Sequence, residues 1–400
     1  MNRYFKSLSL LFVIHGVSLC AHDPLLVVVL MVKNEAPCIR ETLQPFMDQK
    51  FLDRMGFFIF DTGSTDGTIA LTQKFFEDNS VPRAVIVQEP FVDFSVSRNR
   101  ALRLAEETFP DACFMLMLDA EWFLNGLDSL MAFCAAKEYD TRRIYTLRLV
   151  GCGIDFYKSR LMRCGAGIHF TGVVHEVTDE CSGEAVTGVL VDWRPSRYGL
   201  DKTRRRYFRD RDLLLKDHDK NPNNIRTMFY LGQTYTCLGE LEHAAFWYKR
   251  YIDFPVPKWT EELCMACYRY GLIKESLGHW AEAENAHLKA FSVHPERAEP
   301  LMALANHYWR VRDMERCFVY ACFAAAVPYP ERDILFIEKE VYFFTRYDLL
   351  SQVAFNLGAY EVGKSALEMA LKAHPEYDYL HHNMLCYEEQ QAKLSKTITR

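Results

Sequence analysis

The chain has 400 residues, half of them hydrophobic and a quarter charged, and carries a formal net charge of −6. That length suits two or three domains of ordinary globular composition, and the acidic balance gives no ground for a nucleic-acid partner. The 13 cysteines are odd in number and scattered through apolar segments; Cys264 and Cys267 are one close pair with no second pair to complete a zinc site, so most are expected as buried free thiols.

At the N-terminus, Arg3 and Lys6 precede an apolar stretch from Leu8 to Leu19, with the small residues Ser18, Cys20 and Ala21 at its end. This is the layout of a secretory leader over residues 1–21, the alternative being a loosely packed leader helix. The stretch contains His15 and falls short of the roughly 20 apolar residues that a spanning helix needs, so no permanent anchor is expected.

Next comes the apolar run Leu25 to Val32, ending in Lys33, Asn34 and Glu35, and a second apolar run into Asp61, Thr62, Gly63, Ser64, Thr65, Asp66, Gly67 and Thr68. Both read as buried parallel strands with polar loops at their carboxyl ends, which is where an open α/β sheet binds its ligand. The second loop also reads as a plain strand-to-helix turn, since Ser64, Thr65 and Asp66 are good helix caps and Gly63 and Gly67 are turn formers. Acids at neighbouring strand ends, Glu35 and Asp119, favour a binding role, because a helix N-terminus also attracts phosphate.

A strand over Ala84 to Val87, a helix from about Ser95 to Thr108, a strand over Cys113 to Leu118 and a helix near Leu127 to Ala136 continue a βαβ alternation. Within the first helix, Asp93-Phe94-Ser95-Val96-Ser97-Arg98-Asn99-Arg100 presents Arg98, whose fork suits a diphosphate; the other reading is a capping Ser95 with Arg98 on a solvated face. Asp119 and Glu121 stand one residue apart at a strand end and point to one side, where a divalent cation can be held against a diphosphate. Capping of the next helix is the alternative for these acids. Ile144 to Val150, Gly172 to Val174 and Val189 to Val191 then read as strands without helices between them. His175 is a candidate metal ligand and Glu176 a candidate general base, against a core histidine beside a surface glutamate.

Near Pro195 the pattern changes. Residues 196–224 read as a basic helical linker with six basic residues between Lys202 and Arg211, and from Ile225 the chain is helical and repetitive. Gly232, Gly271, Ala305 and Ser351 open similar frames; the step from Gly271 to Ala305 is 34 residues, the tetratricopeptide period, and the other steps are longer. His294-Pro295-Glu296 and His374-Pro375-Glu376 each close a unit. A solenoid of four helix pairs over residues 225–400 is expected.

These motifs together resemble the family 2 glycosyltransferases of the GT-A fold, in the bacterial form where V-K-N-E and D-T-G-S-T-D-G-T open a domain followed by tetratricopeptide repeats. The resemblance implies an α/β GT-A mixed-sheet domain over residues 22–195, then the all-α repeat domain. It implies Asp61 on the nucleoside of a nucleotide-sugar donor, with Glu35, Asp66 and Arg98 as further donor contacts. Asp119-Ala120-Glu121 stands for the family's D-x-D motif, with Glu121 in place of the second Asp and Trp122 where an acid usually follows. A Mn2+ or Mg2+ ion is expected on Asp119, Glu121 and His175, with Glu176 as the base of an inverting transfer to a glycan, lipid-linked or protein acceptor. A histidine common in relatives is replaced by the segment Asp192-Trp193-Arg194. The competing class is a non-catalytic scaffold that binds a protein partner through its repeats. A leader argues for export and a sugar-nucleotide donor for the cytoplasm or the cytoplasmic face of a membrane; the compartment stays open between them.

Overall fold

The computed structural model describes residues 10–13, 23–151, 154–180, 183–194 and 199–398. The leader expected at residues 1–21 lies outside them except for β1 (Leu10–Val13), an edge strand antiparallel to β4. The strands that follow are β2 (Leu26–Val32), β3 (Met55–Asp61), β4 (Ala84–Gln88), β5 (Phe114–Leu118), β6 (Trp122–Asn125), β7 (Ile144–Gly151), β8 (Ile154–Arg163), β9 (Phe170–Thr171), β10 (Val177–Thr178) and β11 (Glu184–Trp193). Among the described residues, nine of these form one mixed sheet in the order β1-β4-β3-β2-β5-β8-β7-β11-β6, and β9 and β10 pair as a separate small hairpin.

β2 runs parallel to both β3 and β5, and β3 parallel to β4. The chain therefore builds outward from β2 through β3 to β4, then returns to place β5 on the other side of β2. Such a reversal opens a crevice at the carboxyl ends of the strands. The strands are apolar on both faces because both faces are covered. Leu26, Val28, Leu30, Phe57, Ile59, Leu116 and Leu118 pack in one core with residues of α1 (Ile39–Leu43), α2 (Gln49–Leu52), α3 (Thr68–Asp78) and α5 (Leu127–Ala136). The alternate residues Val27, Val29, Phe58, Phe60, Met115 and Met117 pack with Ala101, Leu102 and Ala105 of α4 (Phe94–Thr108).

One expected strand is absent. Gly172 to Val174 forms a bend between β9 and β10, because Gly172 (φ +99°) and His175 (φ +52°) both take left-handed backbone that no strand accommodates. α4 is capped by Asp93, whose Oδ1 accepts the Val96 amide at 2.7 Å, and not by Ser95.

α6 (Gly199–Lys220) follows, and the division between two compact units, Met1–Leu214 and Leu215–Arg400, falls inside it. The second unit is all-helical. Its antiparallel pairs are α7 (Ile225–Leu238) with α8 (Leu241–Asp253), α9 (Thr260–Ser276) with α10 (Trp280–Val293), α11 (Glu299–Arg310) with α12 (Met314–Ala326), and α13 (Arg346–Asn356) with α14 (Tyr360–Ala373); α15 (Asp378–Ile398) packs on the last. This is the expected α/β mixed-sheet domain followed by four helix pairs of an all-α solenoid. Extra residues at 254–259 and 327–340 lengthen the first and third steps of the repeat. The recurrent small residue has a packing cause: a Cβ on Gly271 would stand 2.5 Å from the buried His287 ring, and one on Gly232 would stand 2.8 Å from Tyr248. Every cysteine among the described residues is a free thiol, and burial pushes those of Cys264 and Cys267 up to about 12 and about 11. Among the described residues no helix is long and apolar enough to cross a membrane.

Candidate active site

The loops after β2 and β3 are fastened to each other. Asn34, in left-handed backbone, donates its amide to Ser64 Oγ at 2.8 Å and accepts the Thr65 amide on Oδ1 at 2.8 Å. The Glu35 amide donates to Thr68 Oγ1 at 2.8 Å, and the Ala36 amide to Asp66 Oδ2 at 3.3 Å. Asp66 also accepts the Thr68 amide at 3.0 Å on its other oxygen. Burial would raise the Asp66 pKa, but the hydrogen bonds from Thr68 and Ala36 outweigh it and hold the carboxyl below its usual range. Asp66 is thus committed to the shape of the loop. Glu35 performs a similar task, its carbonyl accepting the amides of Cys38 and Ile39 at the start of α1.

Asp61, at the end of β3, is fully buried. Its Oδ1 accepts the amides of Gly63 and Ser64 at 2.9 and 2.8 Å and the Gln88 side-chain amide at 2.9 Å. Its Oδ2 has no hydrogen-bond partner. A buried carboxylate oxygen left unmatched costs about 1–3 kcal/mol, which a donor group on a ligand would recover.

Across the crevice, β5 ends in the turn Asp119-Ala120-Glu121, pinned from α1 by the hydroxyl of Thr42, which donates to the Ala120 carbonyl. Asp119 belongs to a network that joins three parts of the sequence. Arg98 donates from Nε to Glu176 Oε1 at 2.7 Å and from Nη2 to Asp119 Oδ1 at 2.5 Å. Arg160, on β8, lies 3.3 Å from Glu176 Oε1 and 3.9 Å from Asp119 Oδ2. The side chains of Arg98, Arg160 and Glu176 are 3, 0 and 7% exposed, whereas Asp119 keeps 33%, so Asp119 is the member of the network that reaches the crevice. Phe170 and Trp122 supply ring faces to the guanidinium groups: Arg160 Cζ is 5.2 and 5.0 Å from their centroids, and Arg98 Cζ is 5.7 Å from Phe170.

Burial opposes the charged form of each carboxyl, but the cations win. Arg98, Arg160 and Lys158 hold Asp119 well below the usual carboxylate range, and the same three bring Glu176 down to about 2. Burial, then the neighbouring Arg160, lowers Lys158 to about 8.

Two expected roles change with this geometry. Glu176 is expected as a general base; paired with two guanidinium groups and fully ionised at neutral pH, it anchors them and has little basicity to offer an acceptor. Arg98 is expected on a diphosphate; it is buried, giving Nε to Glu176 and Nη2 to Asp119, with Nη1 left without a partner. The neighbouring Asn99 pins β9 to α4, donating to the Phe170 carbonyl at 2.9 Å and accepting its amide at 2.7 Å, which brings the Glu176 segment against the network. His175 and Glu176 face opposite ways: Glu176 is buried, His175 exposed. The expected trio Asp119, Glu121 and His175 does not gather. Among the described residues the three-donor group with ligand atoms within 4.8 Å of one another is His294, Glu296 and Asp333, in the helical unit, and there Arg297 Nη1 stands 3.4 Å from Asp333. Asp119 and Glu121 alone still offer hard carboxylate oxygens on one turn, one kept ionised by its surroundings, a donor set that suits Mg2+ or Mn2+ shared with phosphate oxygens.

Lys158 is the residue that motif reading passed over, and Arg160 and Trp122 carry contacts that it did not assign; the signal is two basic residues, Lys158 and Arg160, two apart on one strand. Asp210 on α6 was likewise hidden in a basic run. Arg209 beside it stacks on Phe91 and Phe94, with Cζ 5.2 and 4.9 Å from their centroids. Burial pushes Asp210 up to about 6 against the pull of Arg209 and Arg206. A raised folded pKa means that the carboxyl's contribution to stability is present in full below the ordinary carboxylate range and lost as pH rises through about 6. Asp210→Asn is therefore expected to stabilise the chain at pH 7.5 by up to about 3 kcal/mol and to change little near pH 4. Calorimetric melting at the two pH values checks this; a lower melting temperature at pH 7.5 would show that the carboxylate is well compensated.

Residues 27–125 match the family model described as "Glycosyl transferase family 2". The match takes in Glu35, Asp61, Asp66, Arg98, Asp119 and Glu121 and stops before Lys158, Arg160 and Glu176. No curated protein matches the chain. Similar solved structures include "Crystal structure of MamA protein", at 16% identity over 44% of this chain and 87% of that one, TM-score 0.35. "Crystal structure of YrrB: a TPR protein with an unusual peptide-binding site" has 14% identity over 45% and 84%, TM-score 0.35. The C-terminal part of a TPR repeat-containing protein from Cytophaga hutchinsonii has 14% identity over 49% and 70%, TM-score 0.38. The family model thus covers part of the mixed-sheet unit, and the all-helical unit that follows it is built of repeated helix pairs.

Proposed function

We propose that the α/β unit transfers a sugar from a nucleotide donor to an acceptor hydroxyl, with inversion, and that the repeats engage the acceptor or a protein partner. The observation that carries this reading is the pair Asp61 and Asp119 on opposite sides of the β2/β5 reversal, one with an unmatched buried oxygen and the other held ionised. Asp61 Oδ2 accepts from the nucleoside of the donor, and Asp119 with Glu121 faces its diphosphate. Glu35 and Asp66 shape the rim, and Arg98, Arg160 and Glu176 fix Asp119. A divalent cation held by Asp119 and Glu121 would supply charge to offset that building on the departing diphosphate. The acceptor oxygen bonds to the anomeric carbon as the carbon–phosphate-oxygen bond breaks, the acceptor proton passing to a base.

A second reading, a scaffold that no longer catalyses, is favoured by the ungathered metal trio and by the spent basicity of Glu176. Incubation with a panel of sugar nucleotides in manganese separates the two. The transferase reading expects slow release of free sugar and a raised melting temperature with the matching donor, since a ligand of the folded state stabilises it. A chain that neither hydrolyses nor is stabilised by any donor is a scaffold.

A further inference from the structure

Of the cations around the crevice, both arginines are paired, Arg98 with each of Asp119 and Glu176 and Arg160 with Glu176. Lys158 stands outside these pairs. It lies two residues before Arg160 on β8, and its ammonium stands 5.7 Å from the centroid of Trp122, the ring that also carries Arg160.

Register places this cation at the crevice. β8 runs antiparallel beside β5 with Leu161 opposite Leu116, and the step back from Leu161 to Lys158, which spans a bulge against β7 between Ser159 and Leu161, carries β8 toward the end of β5, which Asp119 follows. Lys158 is half-buried, and no carboxylate among the described residues lies within ion-pair distance of it. A partly desolvated cation over an aromatic face is poorly compensated by the ring alone.

We infer that Lys158 binds the phosphate groups of the nucleotide donor and supplies positive charge to the diphosphate as it leaves. The inference rests on the transferase reading above, adding a substrate contact from the sheet side of the crevice and a role for Trp122 as its platform. Lysine serves phosphate as a compact point charge with three donors, so it can follow oxygens whose positions change during the reaction.

The test compares nucleoside diphosphates with the bare nucleosides, using UDP, GDP, CDP, ADP and dTDP and the matching nucleosides, by calorimetric titration of the full chain. For the diphosphate that wild type binds, Lys158→Gln is expected to weaken affinity at least tenfold while leaving the nucleoside unchanged. Lys158→Arg is expected to restore most of the loss, and raising the salt concentration to narrow the gap between wild type and Lys158→Gln. Melting curves of both variants confirm folding; should Lys158→Gln fail to fold, Lys158→Arg and the salt dependence of wild type decide, a salt-insensitive diphosphate affinity overturning the inference. Equal diphosphate affinity in wild type and Lys158→Gln overturns the role of Lys158 and leaves the transferase reading standing. A wild-type chain that binds none of the diphosphates overturns both.

Discussion

Arg98→Ala should cost the α/β unit about 3–5 kcal/mol, the scale on which removing one partner of a buried pair leaves charge uncompensated. Arg98 is 3% exposed and faces two carboxylates at once, and with it gone Arg160 is the cation left within ion-pair distance of Asp119 and Glu176, with Lys158 further off. For a unit of this size the loss corresponds to a fall in melting temperature of roughly 10 °C. Arg98→Lys should be intermediate, since a point charge cannot reproduce a fork held between two acceptors. Scanning calorimetry of the full chain reads this. Acid gives an independent check. Glu176 has a folded pKa of about 2, so its contribution is present above the ordinary carboxylate range and lost as pH falls through that value. Arg98→Ala should therefore differ from wild type most at neutral pH and converge with it in strong acid. An Arg98→Ala chain as stable as wild type at pH 7 would mean that the pairing with Asp119 and Glu176 does not form in solution.

The second large effect is expected at Asp119. Asp119→Asn keeps the shape of the side chain and removes its charge, so Arg98 and Arg160 are left with Glu176 alone and the crevice loses the carboxylate that is exposed to it. Nucleoside diphosphate binding and donor hydrolysis should both fall by about 10²-fold or more, in line with the loss of a group that acts on developing charge. Chelation of divalent ions should produce a similar loss in wild type and little further loss in Asp119→Asn. Glu121→Asp should retain binding. Full binding by Asp119→Asn would remove Asp119 from the donor site, whatever its part in stability.

The sequence made the sheet and the repeats readable for reasons that are local. Leu25 to Val32, the run before Asp61 and Cys113 to Leu118 are apolar on both faces and end in polar loops, so a covered parallel sheet was the economical solution. The 34-residue step carried the helix pairs because a small residue is needed wherever two helices meet closely. What stayed hidden was long-range pairing. Arg98 meets Glu176 across 78 residues of chain and Asp119 across 21, and nothing periodic ties such positions together. A guanidinium beside a helix start reads as a phosphate contact until its buried partners are known. The opposed placing of His175 and Glu176 depended on left-handed backbone at Gly172 and His175, which the assignment of Gly172 to Val174 as strand could not contain. Lys158 escaped notice and Trp122 was given no contact of its own, because each is ordinary alone and informative only when stacked.

The clasp between the loops after β2 and β3 bears on how quickly a ligand is captured. Asn34, Ser64, Thr65, Asp66 and Thr68 are locked by side-chain to backbone hydrogen bonds when the chain folds, so half of the crevice rim is already in place before any encounter. A ligand arriving there needs no loop to be recruited, and the ordering entropy that slows and weakens binding at mobile rims was settled at folding. Capture on that side is then governed by diffusion and charge, and residence time by how many contacts must break at once.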